Sequence, residues 1–242
     1  MKTINKLLVI AIYSLLAIAC HHPDPGDNQL TKKEKKEGWS LLFDGETMNG
    51  WRSIHSDSLP KSGWLVEDGC LIVTGKSPGA GDLITVKEYG NFDLTFDFKL
   101  INDANSGIKY FVNESIGNGP EYQIINDDHP VFNSDIRPPV GGKLAGLYEM
   151  IEAPDTKKVN PVGEWNTGRI VSKNNYVEHW LNGELLFGYV LGSDEHKAMV
   201  QKSKFRDMEG YAAKANGHIL IQDHGDMVFY KNIKIKEIGY PQ

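Results

Sequence analysis

Alternation of apolar and polar residues is the dominant pattern along this chain. In Phe92-Asp93-Leu94-Thr95-Phe96-Asp97-Phe98-Lys99-Leu100 the apolar members share one face and the polar members the other, the period of a half-buried β-strand. Trp64-Leu65-Val66-Glu67 and Cys70-Leu71-Ile72-Val73 are separated by Asp68-Gly69, and Asn182-Gly183 divides 176–181 from 184–187 in the same way. Both dipeptides tolerate the positive φ angles of a two-residue turn, so both pairs of runs are predicted as hairpins. Further strands are predicted at 108–112, 121–126, 146–151, 169–172, 218–223 and 228–238. One helix is predicted over 194–202, with Ser193 as its cap and Asp194 and Glu195 in the first turn, where the helix dipole favours anions. Many strands with one short helix predict an all-β fold, a sandwich of two antiparallel sheets.

The N-terminus departs from this pattern. Lys2 and Lys6 precede an apolar stretch over 7–19 that ends in Ala17-Ile18-Ala19-Cys20. The stretch is short for a bilayer, which needs roughly 20 apolar residues, so 1–20 reads as a cleaved export signal. Its similarity to bacterial lipoprotein signals implies lipidation of Cys20, although Ala17 stands where Leu is the commoner choice; an ordinary signal peptide cut nearby is the alternative. Either way the domain is expected outside the cytoplasm, periplasmic or on the outer surface, and the lipid would be its only hold on a membrane. Residues 21–37 are polar and charged and read as a flexible tether, leaving 38–242 as one domain. Cys70 is the only other cysteine, which excludes a disulfide framework. A net charge of −6 over 242 residues makes nucleic acid an unsuitable partner.

Five motifs follow one another through the domain. They are Leu42-Phe43-Asp44-Gly45, Asn49-Gly50-Trp51, Gly119-Pro120-Glu121-Tyr122-Gln123, His179-Trp180-Leu181-Asn182-Gly183, and Ile221-Gln222-Asp223-His224-Gly225 with Asn232-Ile233 beyond. None is specific alone, but in this order over about residues 39–238 the chain resembles the 3-keto-disaccharide hydrolase family. The resemblance implies a concanavalin A-like jelly-roll sandwich, an envelope-anchored bacterial protein and a carbohydrate substrate. It further implies cleavage of glycosides whose C3 hydroxyl has been oxidised to a ketone. Such a ketone acidifies the C2 proton; a base removes it, the enolate expels the C1 leaving group, and water adds afterwards. This chemistry asks for a base, an electrophile at the enolate oxygen and a donor for the leaving oxygen. It does not ask for the two carboxylates that ordinary glycosidases place across the bond.

On the strand 121–126, Glu121 and Gln123 share a face opposite Tyr122 and Ile124, so two polar groups point away from the core. Glu121 is the candidate base or metal ligand and Gln123 a substrate contact; a solvated carboxylate is the plain alternative. Alternation over 218–224 makes Gln222 and His224 neighbours opposite Ile219 and Ile221. The imidazole of His224 can move a proton or bind a metal, or simply be hydrogen-bonded at a strand end. Over 176–182 two registers stay open: Glu178 and Trp180 form a carboxylate beside an aromatic platform for a sugar ring, or Trp180 is buried and His179 reaches the site. The stretch 127–143, rich in Asp, Asn, Pro and Gly, is expected to form a wall of the cleft. Lys143 at its end is the candidate that stabilises the enolate, with a solvated lysine as the alternative. Tyr148, Asn166 and Arg169 are further candidate substrate contacts that could equally finish turns, and Asp44 reads as a turn-former.

No HExxH helix, cysteine pair or EF-hand loop occurs. A divalent ion would therefore be held by residues scattered over strands, such as Glu121, Glu178 and His224, acting as a Lewis acid on the C3 oxygen. A retaining glucanase of the laminarinase type shares the jelly roll and carries Glu-x-Asp-x-x-Glu on one strand. The matching positions here are Glu121, Gln123 and Asn126, which lack two of the three acids. The rival from a different class is a non-catalytic, lectin-like sugar-binding protein, since this fold hosts both; a structural envelope protein is the third reading.

Overall fold

The computed structural model describes residues 26–75, 80–133 and 140–239. The expected export signal and Cys20 lie outside the described residues. The elements in chain order are α1 (Lys32–Lys36), β1 (Trp39–Leu41), β2 (Trp51–Ser53), β3 (Trp64–Glu67), β4 (Cys70–Thr74), β5 (Leu83–Tyr89), β6 (Phe92–Leu100), β7 (Asn105–Val112) and β8 (Glu121–Ile125). They continue with β9 (Asn166–Lys173), β10 (Tyr176–Leu181), β11 (Glu184–Val190), α2 (Asp194–Lys202), β12 (Gly217–Ile221) and β13 (Met227–Glu237). All strand pairs are antiparallel. The larger sheet runs β11-β10-β9-β6-β13-β4-β3, with β1 also on β13, and the smaller runs β2-β5-β12-β7-β8. This is the two-sheet antiparallel sandwich that the alternating pattern called for, in the jelly-roll form that the family resemblance implies.

The core lies between the two sheets. Phe92, Leu94, Phe96, Phe98 and Leu100 of β6 all point into it, as the alternation predicts, and meet Ile108, Tyr110, Tyr122, Ile124, Ile219 and Ile221 from the smaller sheet. Both hairpins form on positive-φ pairs, Asp68 (50°) with Gly69 (72°) and Asn182 (48°) with Gly183 (81°). The helix α2 has the expected bounds, and the Ser193 side chain accepts from the His196 N–H. Cys70 is a free, half-buried thiol.

Two expectations are corrected, and a central strand went unpredicted. The tether is not loose throughout. Thr31 and Glu34 form a capping box on α1, and Asn28 interlocks with Asn232, each backbone N–H donating to the other's side-chain oxygen at 2.6 and 2.8 Å. The segment 146–151 is no strand but a tight loop along the free edge of β8, joined by the bridges Tyr122 to Leu147 and Leu147 to Ile151. Strand β5, central to the smaller sheet, was not predicted because its burial does not alternate. Leu83 packs between the sheets, whereas Ile84 joins Ile54, Val112 and Leu220 in a second cluster on the outer face.

Candidate active site

On the outer face of the smaller sheet, the alternation of β7, β8 and β12 sets out polar side chains in rows. Lys109 stands opposite Glu121 across the β7–β8 pair, and Gly107 opposite Gln123. Leu220 stands opposite Lys109 on the other side, and the Gln222 N–H donates to the Gly107 carbonyl at 2.9 Å. Gly107 is required by close approach: a Cβ there would run into the Glu121 carboxylate. A pocket of about 100 Å³ opens over these rows, lined by Glu121, Gln123, Lys109, Asn105, Gln222 and His224 from the sheet and its ends, with Asn118, Tyr148, Lys204 and Phe205 at its sides.

Glu121 is only 5% exposed and Lys109 8%. Lys109 Nζ lies 3.9 Å from Glu121 Oε2, close enough for attraction but beyond a hydrogen bond. With its amide nitrogen turned to the carboxylate, Gln123 donates to Glu121 Oε1 and to the Ser106 carbonyl, each at 3.2 Å. Burial pushes the Glu121 carboxyl up to about 7, against the downward pull of Lys109 and Lys204 and with a further push from Asp82. A carboxyl that titrates near neutrality inside a polar pocket suits a general base.

The loop that carries His224 is fixed at several points. The Asp223 N–H donates to Asp82 Oδ1 at 2.8 Å, the Gly225 N–H to Asp223 Oδ1 at 3.0 Å, and the Asn105 N–H to Asp226 Oδ2 at 3.2 Å. Burial raises the Asp82 carboxyl against the pull of that Asp223 N–H. The Asn105 side-chain oxygen is buried here without a partner among the described residues, an acceptor open to a ligand hydroxyl. Tyr148 is held over β8 by its N–H to the Glu121 carbonyl at 3.1 Å. Lys204 Nζ donates to the Tyr148 hydroxyl at 3.1 Å and lies 4.3 Å from its ring centroid. Phe205 stacks on Tyr211 with centroids 4.2 Å apart.

The structure thus brings together Glu121, Gln123, Tyr148, Gln222 and His224 of the sequence candidates. The others lie elsewhere. Glu178, Trp180 and Arg169 share the outer face of the larger sheet, across the core from the pocket. Trp180 Nε1 donates to Glu178 Oε2 at 2.8 Å, and Arg169 forks onto Asp93 at 2.7 and 2.8 Å. His179 reaches neither surface but is fully buried in the core with Val177 and Leu181. The register that buries Trp180 and sends His179 to the site therefore fails, and the one that turns Glu178 and Trp180 outward holds, but on the other sheet. Lys143 pairs with the exposed Asp155 at 3.5 Å and does not line the pocket. Asn166 accepts from the Asn160 N–H at 2.9 Å and from Asn182 Nδ2 at 2.8 Å, tying a loop to the β10–β11 hairpin.

Of the expected cleft wall, 127–143, residues 134–139 lie outside the described residues, and the start of the stretch lies away from the pocket. Asp127 and Asp128 line a second cavity of about 320 Å³ with Val159, Val162 and Asn166, and Asp127 pairs with the buried Lys157. The trio Glu121, Glu178 and His224 is split between opposite faces, and among the described residues no three His, Cys, Asp or Glu side chains are grouped to hold a metal. Sequence reasoning missed Lys109, Lys204, Asn105, Asn118, Phe205 and Asp82. Lys109 had a signal, a lone cation in the apolar run Gly107-Ile108-Lys109-Tyr110-Phe111. Lys204 and Asn118, in turns without period, had none.

A jelly-roll sandwich with a polar pocket around a near-neutral carboxyl defines the class, a carbohydrate-active domain. The family model described as a 3-keto-alpha-glucoside-1,2-lyase-like domain matches residues 38–236. A 3-keto-disaccharide hydrolase of Bacteroides thetaiotaomicron is 34% identical over 232 residues, 83% of this chain and 78% of that protein. A solved structure from Parabacteroides distasonis ATCC 8503, described as a candidate glycosyl hydrolase, is 38% identical with a TM-score of 0.76, covering 88% of this chain and 100% of that one. A second from the same organism, at 24% identity and a TM-score of 0.64 over 83% and 99% of the two chains, shares the fold. The chain belongs to the 3-keto-α-glucoside-1,2-lyase-like family, and it is a glycoside-cleaving enzyme.

Proposed function

We propose that the chain hydrolyses 3-keto-glycosides, including 3-keto-disaccharides, by elimination and hydration, with Glu121 as the base. The observation that carries this reading is the buried Glu121 carboxyl, raised to about 7 and facing the pocket beside Lys109. Glu121 takes the C2 proton; the electron pair passes into an enolate whose oxygen, on C3, is stabilised by Lys109 and Lys204 in place of the expected Lys143. The enolate collapses to restore the ketone, a C1–C2 double bond forms and the C1–oxygen bond breaks, while His224 gives the leaving oxygen its proton. Water then adds to C1 and a proton returns to C2, so one glycoside and one water give a 3-keto sugar and an alcohol. Gln123, Gln222, Asn105 and Tyr148 supply hydrogen bonds that orient the ring.

The test compares the mature domain and its Glu121→Gln variant on an aryl 3-keto-glucoside and on the plain glucoside, with and without chelator. Release of the phenol from the keto compound alone, lost in the variant while binding persists, is the expected result. Binding of either compound without turnover by the unmodified domain would instead favour the lectin-like reading, and chelator sensitivity would add a metal. The N-terminal pattern supports lipidation of Cys20 and an envelope location; incorporation of labelled palmitate, abolished by Cys20→Ser, is the expected outcome in the native host.

A further inference from the structure

We propose that His179 is a positioning residue for this reaction: from the opposite sheet, through the Ala145 carbonyl, it fixes the segment that holds Glu121, Gln123 and Tyr148 in register. The inference rests on the reading of Glu121 as the base. His179 lies on β10, in the middle of the core, with its ring between those of Tyr122 (4.9 Å) and Phe187 (4.8 Å). Packing alone would accept a phenylalanine here. The hydrogen bonds require an imidazole.

Nδ1 lies 3.0 Å from the Ala145 carbonyl oxygen and Nε2 2.8 Å from the Tyr110 hydroxyl, which is in turn 2.9 Å from the Tyr189 hydroxyl. A carbonyl only accepts, so Nδ1 carries the proton. Burial holds the ring neutral, with its pKa pushed down to about 4, so Nε2 accepts from Tyr110. Tyr110 has then used its one proton, and Tyr189 donates to it. The chain of donors therefore runs in one direction, Tyr189 to Tyr110 to His179 to Ala145, and every link is buried.

The far end of this chain is the part of the molecule that needs holding. Ala145 and Glu149 have φ of +64° and +71°, conformations that L-residues keep only when their surroundings over-determine them. Between them the loop stitches itself to the site strand. The Ala145 N–H donates to the Gln123 carbonyl at 2.8 Å, the Gln123 N–H to the Gly146 carbonyl at 3.1 Å, and the Tyr148 N–H to the Glu121 carbonyl at 3.1 Å. Strand β8 is the last in its sheet. This loop is what covers its outer edge, and His179 is what satisfies the loop's own buried carbonyl. A shift of the loop would move the Glu121 backbone and the Tyr148 ring together, and displacements of about 1 Å can cost on the order of 10²-fold in rate.

The experiment uses the full mature domain with His179→Asn and His179→Gln. Asparagine places its amide nitrogen near Nδ1 and keeps the donor to Ala145; glutamine reaches towards Tyr110 and leaves Ala145 unpaired. Amide hydrogen exchange over 145–148 and the separate kcat and KM on the aryl 3-keto-glucoside are measured for both, with melting temperatures alongside. For His179→Gln, exchange should quicken roughly tenfold or more and kcat fall roughly 10- to 100-fold with KM nearly unchanged. His179→Asn should restore both towards the unmodified protein, even where the two variants melt alike. Equal exchange and equal kcat in the two variants would overturn the proposal and leave His179 as core packing. Should the glutamine variant not fold, exchange in the unmodified domain decides: Ala145 and Tyr148 amides as fast as exposed loops would overturn it, and protection matching β8 supports it. Inactivity of the unmodified domain on the keto compound would remove the proposed function and the catalytic consequence with it, whereas unaltered exchange in His179→Gln would remove the positioning itself.

Discussion

On the outer face of the larger sheet, Glu178 accepts from the Trp180 indole, while Arg169 lies over the same ring and forks onto Asp93. On the outer face of the smaller sheet, Glu121 sits beside Lys109 at a distance too long for a hydrogen bond, under a pocket walled by Tyr148 and Lys204. The side-chain types are the same and the physics differs. On the larger sheet the groups satisfy one another: Asp93 is as buried as Glu121 but takes both arms of the Arg169 guanidinium, which leaves nothing free to act. On the smaller sheet a carboxyl has been desolvated without a hydrogen-bonded cation, so its two protonation states lie close in energy at neutral pH. Burial without full pairing, more than the presence of carboxylate, cation and ring, separates a face that can do chemistry from one that cannot.

The widest gap between the faces should appear in paired carboxylate variants. Glu121→Gln should lower turnover of the aryl 3-keto-glucoside by about 10²- to 10⁴-fold, the range of a lost general base, whereas Glu178→Gln should change it less than about twofold; comparable losses in both would erase the comparison. Lys109→Met should cost about 10²-fold by removing charge from the enolate's surroundings. Since Lys109 pulls the Glu121 pKa down, the acid limb of the kcat/KM profile should also move to higher pH; an unmoved limb would separate Lys109 from the base. Gly107→Ala should displace the carboxylate and reduce turnover about tenfold, with KM less affected.

The smallest effect is on stability. Glu121 is raised from 4.5 to about 7, so its favourable contribution is present below pH 4.5 and lost as pH rises through 7. His179 is lowered from 6.5 to about 4, so its contribution is present above pH 6.5 and lost as pH falls through 4. Each is worth on the order of 3 kcal/mol, and in the shared window they oppose one another. The unmodified domain should therefore show a nearly flat contribution from this pair between about pH 4.5 and 6.5. Glu121→Gln should uncover the His179 slope, with the melting temperature rising as pH rises. A flat profile in the variant would contradict the neutral buried imidazole.

Much of the fold was legible because its signals are local. The alternation of β6, the Asp-Gly and Asn-Gly turns and the cap of α2 each need only neighbouring residues to act. Strand β5 was hidden because its two faces meet different apolar clusters, which removes the period. The segment 146–151 reads as a strand because Leu147 and Ile151 carry a strand-like spacing, while the positive φ of Glu149 leaves no trace in the residue type. Within the site, Glu121, Gln123, Gln222 and His224 were legible from alternation alone, and Lys109 could have been found the same way.

What the sequence determined by itself is therefore the set of strands whose faces alternate, the turns between them and the polar face on which Glu121 and Gln123 lie. Only the tertiary structure decided which of the two sheets each polar face belongs to. It placed Glu178 and Trp180 on the far side of the sandwich and His179 inside it, and drew Lys204 from the turn after α2 to the edge of the pocket. The reason is geometric. Period two says which residues of one strand point together, but not which strand lies beside it or what covers the face, and it is that neighbourhood, through burial and partners, that sets the chemistry of a carboxyl.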